Sequence, residues 1–173
     1  MSRRRLALLL PLIALLTMAQ GPRDSMVGTW DFTTFISAEE FRANATSLAD
    51  GIEIEMAMIG SQTYRDDGTY VSDVDVTLTI VTEDGRLPLH FNTTDQGTWQ
   101  LEGDLITEVL EEGTLTPIDD NTKAFLADVP AIAEGLRPSP GQKTESRLVS
   151  ISPVEMTTRL ENAETSIVFT RSP

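Results

Sequence analysis

Acidic side chains in step along two stretches are the first candidates for chemistry. Asp73 and Asp75 share one face of "SDVDV", and Glu53 and Glu55 share one face of "IEIEM". Paired carboxylates can serve as general acid and base when their surroundings split their pKa values. With 27 acidic residues in 173, such pairs arise from composition alone, and a solvated strand face is the expected role. The single histidine, His90 in "LPLHF", would need partners or a pocket to hold a metal or haem. Nothing else in the sequence announces either, so a structural or surface histidine is expected. Asp119-Asp120-Asn121 has the look of a calcium cluster but lacks the remaining ligands at loop spacing, and it suits a helix N-cap. No Gly-x-Ser-x-Gly elbow, phosphate loop or His-Glu-x-x-His is present. The expectation is a protein that is not an enzyme, with no catalytic residue, no metal and no cofactor.

The chain begins "MSRRRLALLLPLIALLTMAQ", with three arginines, an apolar run from Leu6 to Leu16, and small or polar residues around Thr17 and Ala19. That is the pattern of a signal peptide over residues 1–19, cleaved after Ala19. The apolar run is short of the roughly 20 residues a bilayer span needs, so no stable membrane anchor is expected after cleavage. Ser2-Arg3-Arg4-Arg5-Leu6 partly matches a twin-arginine signal, while the leucine-rich core fits the general secretory route. A periplasmic or secreted location follows, and without cysteines the fold must stand on its core alone. Removing the leader takes away three arginines and no acid, so the net charge of −14 becomes −17. A surface of that sign repels phosphates, which argues against nucleic acid and anionic membranes as partners.

The elements that must position any site are mostly strands. In "TYVSDVDVTLTIVT", Val74, Val76, Leu78 and Ile80 alternate with polar residues, a period of two that marks one buried face. The same alternation runs through Ile52, Ile54, Met56 and Met58, through Leu87, Leu89 and Phe91, and through Val154, Met156, Thr158 and Leu160. Asp66-Asp67-Gly68, Glu83-Asp84-Gly85, Glu102-Gly103-Asp104 and Glu161-Asn162-Ala163-Glu164 are short links of the kind that close hairpins. Consecutive hairpins give an up-and-down antiparallel sheet. Its edges are removed by closure, so residues 26–173 are expected to form one mainly β domain, an antiparallel barrel of 8–10 strands with two short helices. Such a barrel has room for side chains or one small ligand.

The first helix is read in "SAEEFRANATSLADG", where Ser37 and Glu40 stand at capping-box spacing and Ala38, Phe41, Ala45 and Leu48 form one stripe. The second lies in "DDNTKAFLADVPAIAEGL", with Phe125, Leu126, Val129, Ile132, Ala133 and Leu136 at helical spacing and Pro130 dividing it. The tripeptide Gly-Thr-Trp occurs at residues 28–30 and 97–99, with Gly-Thr-Tyr at 68–70. It reads as a strand-start device: glycine for the turn, threonine for the extended chain, and an aromatic anchor. Trp30 and Trp99 are then expected near packing at a barrel end.

These pieces carry a resemblance. "MVGTWDF", "DGTY", "GTWQLEGDLITEVL" and "SIVFTR" resemble the pattern of lipocalin-like domains of the calycin group. The resemblance implies a barrel enclosing a cavity for a small apolar molecule. The helix after the first strand, "VGTW" and "VFTR" are also similar to fatty-acid-binding proteins, but the positions of that family's carboxylate-binding Arg-x-Tyr fall on Ile167 and Phe169. Arg147 or Arg159 could stand in, although each more naturally pairs with acids on this surface. "GTWDFTT" lacks the further glycines of nitrobindin-type haem barrels.

Two functions remain open. One is a carrier of a small hydrophobic ligand contacted by Phe41, Met56, Met58, Phe125, Ile132 and Arg159, with the Phe125–Leu136 segment as lid; methionines adapt to varied shapes. The other is an envelope accessory or interaction protein with a side-chain-filled barrel, its protein partner unknown.

Overall fold

The computed structural model describes residues 21–44, 52–130, 134, 136–160 and 165–173. In chain order these carry α1 (Pro22–Met26), β1 (Gly28–Ile36), α2 (Ala38–Asn44), β2 (Glu53–Tyr64), β3 (Thr69–Thr82), β4 (Gly85–Glu102), β5 (Leu105–Pro117), α3 (Asp120–Asp128), β6 (Lys143–Ile151), β7 (Glu155–Leu160) and β8 (Ser166–Arg171). Each strand pairs antiparallel with the next, and β8 returns to β1, closing an up-and-down barrel. The eight strands fall within the expected range. The described residues add a third helix, α1, to the two expected; at five residues it is too short to leave a helical period in the sequence.

Alternation sets which face is buried. Along β3, Tyr70, Val74 and Leu78 are buried while Asp73 and Asp75 are exposed. Across the sheet, Leu78 pairs with Leu89 and Val76 with Phe91, so these inner faces meet in register. The interior holds two apolar clusters. The lower one packs Met26, Trp30, Tyr64, Tyr70, Trp99, Ile106, Met156 and Phe169. The upper one packs Leu78, Leu89 and Phe91, with Phe125 and Leu126 of α3 and Leu136 laid against them. Trp30 and Trp99 thus both serve the closed end, as expected.

The walls differ in height. β3 and β4 have 14 and 18 residues, but β7 and β8 have 6 each. β6 begins only at the level of Val109, where Lys143 pairs. Above that level the chain returning from α3 lies beside β5, with Gly141 N–H donating to Leu110 O (2.7 Å) and Leu110 N–H to Gln142 O (2.9 Å). Over the mouth, Asp119 caps α3 by accepting from Thr122 N–H (2.8 Å), and α3 ends at Asp128, two residues before Pro130. At α2 the capping contact from Glu40 N–H to Ser37 Oγ is present (3.3 Å). The Glu40 carboxylate also reaches Thr165, accepting from its N–H (2.9 Å) and Oγ1 (2.6 Å), which ties α2 to the start of β8.

The repeated tripeptide divides into two cases. Gly28 (φ 138°) and Gly68 (φ 84°) stand at the starts of β1 and β3 as the strand-start reading expects. Gly97-Thr98-Trp99 does not start a strand: it lies inside β4, just past the register shift between Gln96 and Gly97. Gly97 is needed there for closeness. A Cβ at this position would fall on the carbonyl oxygen of Val109 and 2.9 Å from Tyr70 Cε1. The second Trp-bearing repeat therefore marks a pinch in a long strand, opposite a bulge that leaves Glu111 of β5 unpaired between Leu110 and Glu112. Gly97→Ala should lower unfolding free energy by about 1–3 kcal/mol, the usual cost of overpacking. Gly21→Ala, where a Cβ meets nothing within 4 Å, should stay within about 0.5 kcal/mol of the parent in urea titrations.

Candidate functional site

Several inner-face residues between the two apolar clusters are polar, beside Val74 and Leu110. Gln62 and Tyr64 of β2 point inward in step with buried Trp30, which pairs with Gln62. Glu108 of β5 points inward opposite Trp99. Tyr64 Oη–H donates to Glu108 Oε1 (2.7 Å), and the Gln62 amide donates to the same oxygen. Nearby, Asp95 of β4 faces inward opposite Gly113, whose missing side chain makes room for it: a Cβ there would lie 2.6 Å from Asp95 Oδ1 and 2.6 Å from Pro138 Cβ. Asp95 Oδ1 is buried without a hydrogen-bond partner.

The electrostatics follow from this enclosure. Burial pushes the Glu108 carboxyl above the ordinary range; the bonds from Tyr64 and Gln62 oppose that shift and the charge of Asp95 adds to it. Burial likewise raises Asp95. Tyr64 is held well above the usual phenol value by burial and by Glu108, and Tyr70 is pushed up to about 12 by burial, Glu108, Asp95 and Glu111. The phenols therefore act as donors across the working pH range, and a carboxylate beside them is an acceptor.

The residues singled out from the sequence distribute unevenly. Met56 and Met58 lie on the inner face of β2, opposite Leu78 and Val76, and keep part of their surface accessible. Phe125 packs half-buried on the upper cluster. Phe41 is half-buried on α2. Arg159 is exposed, on the opposite face of β7 from buried Met156 and Thr158; the strand period points it outward, so it does not join the interior group. Arg147, its alternative, pairs with Asp104 at 3.2 Å on the surface. Ile132, the signal peptide, residues 45–51 of the first helical stretch and the turn at 161–164 lie outside the described residues.

The paired carboxylates sit on the outside. Asn92 Nδ2 donates to Asp73 (2.8 Å) and Asp75 (3.1 Å), while Glu53 pairs with Arg42 (3.2 Å) and Glu55 with Arg86. His90 has structural partners: its Nδ1 meets Thr77 Oγ1 (3.1 Å), and its N–H donates to Thr122 Oγ1 of α3 (2.9 Å). Among the described residues no three His, Asp or Glu side chains gather as a metal would require.

Sequence reasoning missed the Glu108 cluster. One signal was available: in "LITEVLE", Glu108 falls in step with Ile106 and Leu110, an acid on the apolar phase. Asp95 gave the same signal: β4 keeps its period of two, and Asp95 falls in step with Leu89, Phe91 and Trp99, the bulge of this pair lying on β5 at Glu111.

No family model matches the chain, and no curated protein matches it. A solved structure does: a lipocalin-like protein from Bacteroides uniformis, 14% identical, matched over 86% of this chain and 99% of that one with a TM-score of 0.41. The fold here is an up-and-down barrel, eight antiparallel strands closed by β1 against β8, with Trp30 of the first Gly-Thr-Trp packed in the closed end.

The chain has only two tyrosines, so the phenol shifts can be read directly. Absorbance at 295 nm should show no phenolate midpoint near the ordinary value of about 10 while the protein is folded. Because the folded state holds both protons more tightly than the unfolded chain, stability is fully present below about pH 10 and is lost as pH rises through the folded values. A folded-state midpoint near 10 for either tyrosine would contradict the described burial.

Proposed function

We propose that this chain is an exported binding protein whose barrel interior takes a small, mainly apolar molecule. One observation carries the reading. Met56, Met58, Gln62 and Glu108 all face the inside of a closed barrel, yet each keeps accessible surface. Side chains so placed border a space within the barrel. At the closed end the contrast is sharp: Met26, Trp30, Ile106 and Met156 have no accessible surface. The space is apolar above and carries convergent polar groups beside it, the usual composition of a ligand site. Phe125 and Leu126 of α3 lie over the upper cluster, where a covering element would sit. A binding role also fits Tyr64, which burial holds as a phenol and which is engaged as a donor rather than as a nucleophile.

A second reading, a protein-docking module, is favoured by the outer surface. An open groove of about 740 Å³ runs over β8, β1, β2 and β3, lined by exposed Ile59 and Val168 and by Asp31, Asp73 and Asp75. Native mass spectrometry of the protein from its own host separates the two. A reproducible adduct that is released by organic solvent supports the interior role, and a clean apo mass with a bound protein supports the groove. Phe125→Glu should speed release of that adduct by about tenfold or more, as expected for loss of an apolar covering contact, with a smaller effect on the denaturation midpoint. Equal losses would make Phe125 plain core.

Export is proposed from the leader-like first 19 residues. Its test is the intact mass of the mature protein. Met26 is fully buried and α1 starts at Pro22, so cleavage should leave a chain starting at or before Gly21. A mature start inside α1, or an uncleaved chain in the cytoplasm, would overturn it.

A further inference from the structure

The outer groove over β8, β1, β2 and β3 brings aliphatic and acidic side chains to one space. The ladder registers give its plan. At one level Asp31 of β1 stands opposite Ser61 of β2, and Ser61 opposite Asp73 of β3; one step along, Thr33 stands opposite Ile59, and Ile59 opposite Asp75. Val168 of β8 lines the same groove. Ile59 and Val168 are 61% and 48% exposed, and Phe35, which follows Thr33 on the same outer face of β1, is exposed as well. Single exposed apolar residues are ordinary, but several around one groove mark a contact surface. The acids of the groove lack a cation. Asn92 Nδ2 donates to both Asp73 (2.8 Å) and Asp75 (3.1 Å), which holds the two carboxylates side by side and leaves both charges in place. Among the described residues neither they nor Asp31 pairs with a lysine or arginine, whereas the next acids along the outer face of β2, Glu55 and Glu53, are matched by Arg86 and Arg42.

We propose that this groove docks a short extended segment of a partner protein in which lysine or arginine residues flank an aliphatic side chain. The aliphatic group lies on Ile59 and Val168, and the cations reach Asp31, Asp73 and Asp75. The inference rests on the docking reading of the groove given above and is separate from the interior role. Four strands about 4.8 Å apart make the groove about 14 Å long, the reach of roughly four extended residues. Exposed ion pairs add little affinity each, so the aspartates choose and orient the partner while the aliphatic contact holds it. A second copy of this chain is a poor occupant, because a two-fold contact sets a patch against itself and would bring three aspartates to face the same three. A phosphate-bearing partner is repelled by the same charges.

The test uses three capped pentapeptides, Lys-Val-Lys-Val-Lys, Thr-Val-Thr-Val-Thr and Glu-Val-Glu-Val-Glu, titrated into the isotope-labelled mature protein and followed by backbone amide shifts. The lysine peptide should move Thr33, Ile59 and Val168 and bind about threefold tighter than the threonine peptide at low salt, a preference that shrinks as salt rises to about 0.5 M; the glutamate peptide should bind weakest. Asp73→Asn together with Asp75→Asn should abolish the preference. Glu83→Gln together with Asp84→Asn, which removes the same charge from the β3–β4 turn, should leave it unchanged. Ile59→Ser should weaken the lysine and threonine peptides alike, by about fivefold. Each substituted side chain is exposed, so every variant should fold. A preference lost equally in the turn variant would assign it to overall charge and overturn the proposal. Equal binding of the lysine and threonine peptides would overturn the cationic partner while leaving the docking reading intact. If no peptide moves the groove residues, both fail. Sedimentation that shows a dimer dissolved by Ile59→Ser would make a second copy the occupant and also overturn the proposal.

Discussion

The barrel hangs on the contacts around Trp30. Its indole N–H donates to Met26 O (2.7 Å) at the ring edge, and the Arg171 guanidinium lies over the ring face. Arg171 then donates to Val27 O (2.9 Å), Ser25 O (2.6 Å) and Pro153 O (2.7 Å). One residue from the last strand thereby fixes the N-terminal helix, the first strand and the β6–β7 turn. This matters because β1 and β8 form the shortest seam of the barrel, three ladder pairs between Trp30–Phe32 and Phe169–Arg171 and one further bond from Ser172 N–H to Thr29 O (2.9 Å). A cation over a desolvated indole together with charge-assisted bonds supplies on the order of several kcal/mol there. Phe32 and Phe169, with ring centroids 5.0 Å apart, continue the seam inward.

With the closed end fixed, unequal walls create the site. The long strands β2 to β5 extend past the short ones, so the upper inner face lacks an opposing wall. α3 and the return chain through Leu136 and Pro138 fill that side, while Glu40 of α2 reaches across to Thr165. The polar layer sits where tall wall, short wall and return chain meet. Gly60 and Gly97 allow that convergence by bringing backbones closer than any side chain would permit.

Much of this was legible in the sequence. Period-two alternation in β2, β3, β4 and β7 assigned Met56, Met58, Leu89, Phe91 and Met156 to one face each, and hairpin links gave the strand order. The same alternation already set Arg159 out of phase with Met156 and Thr158, so its outward position could have been read. Tertiary closeness could not. Gly97 resembled a turn glycine because a strand start and a pinch both demand the absence of a side chain. Glu108 resembled a surface acid because composition is rich in acids, and only its phase with Ile106 and Leu110 set it apart. Asp95 was in phase too, but it depends on a gap at Gly113 that no local pattern records.

The Arg171 contact also joins distant parts of the chain. Its partners are at the other end of the chain, separated from it in sequence by 144 and 146 residues. Until β8 is made, β1 remains an open strand edge and Trp30 lacks the cation over its ring, whatever the intervening hairpins have achieved. Closure therefore joins the segments that lie entropically furthest apart in the barrel, and a chain without it is a sheet with a free edge of the kind that pairs with neighbours. The acidic charge of the chain, −14, gives such unclosed copies mutual repulsion.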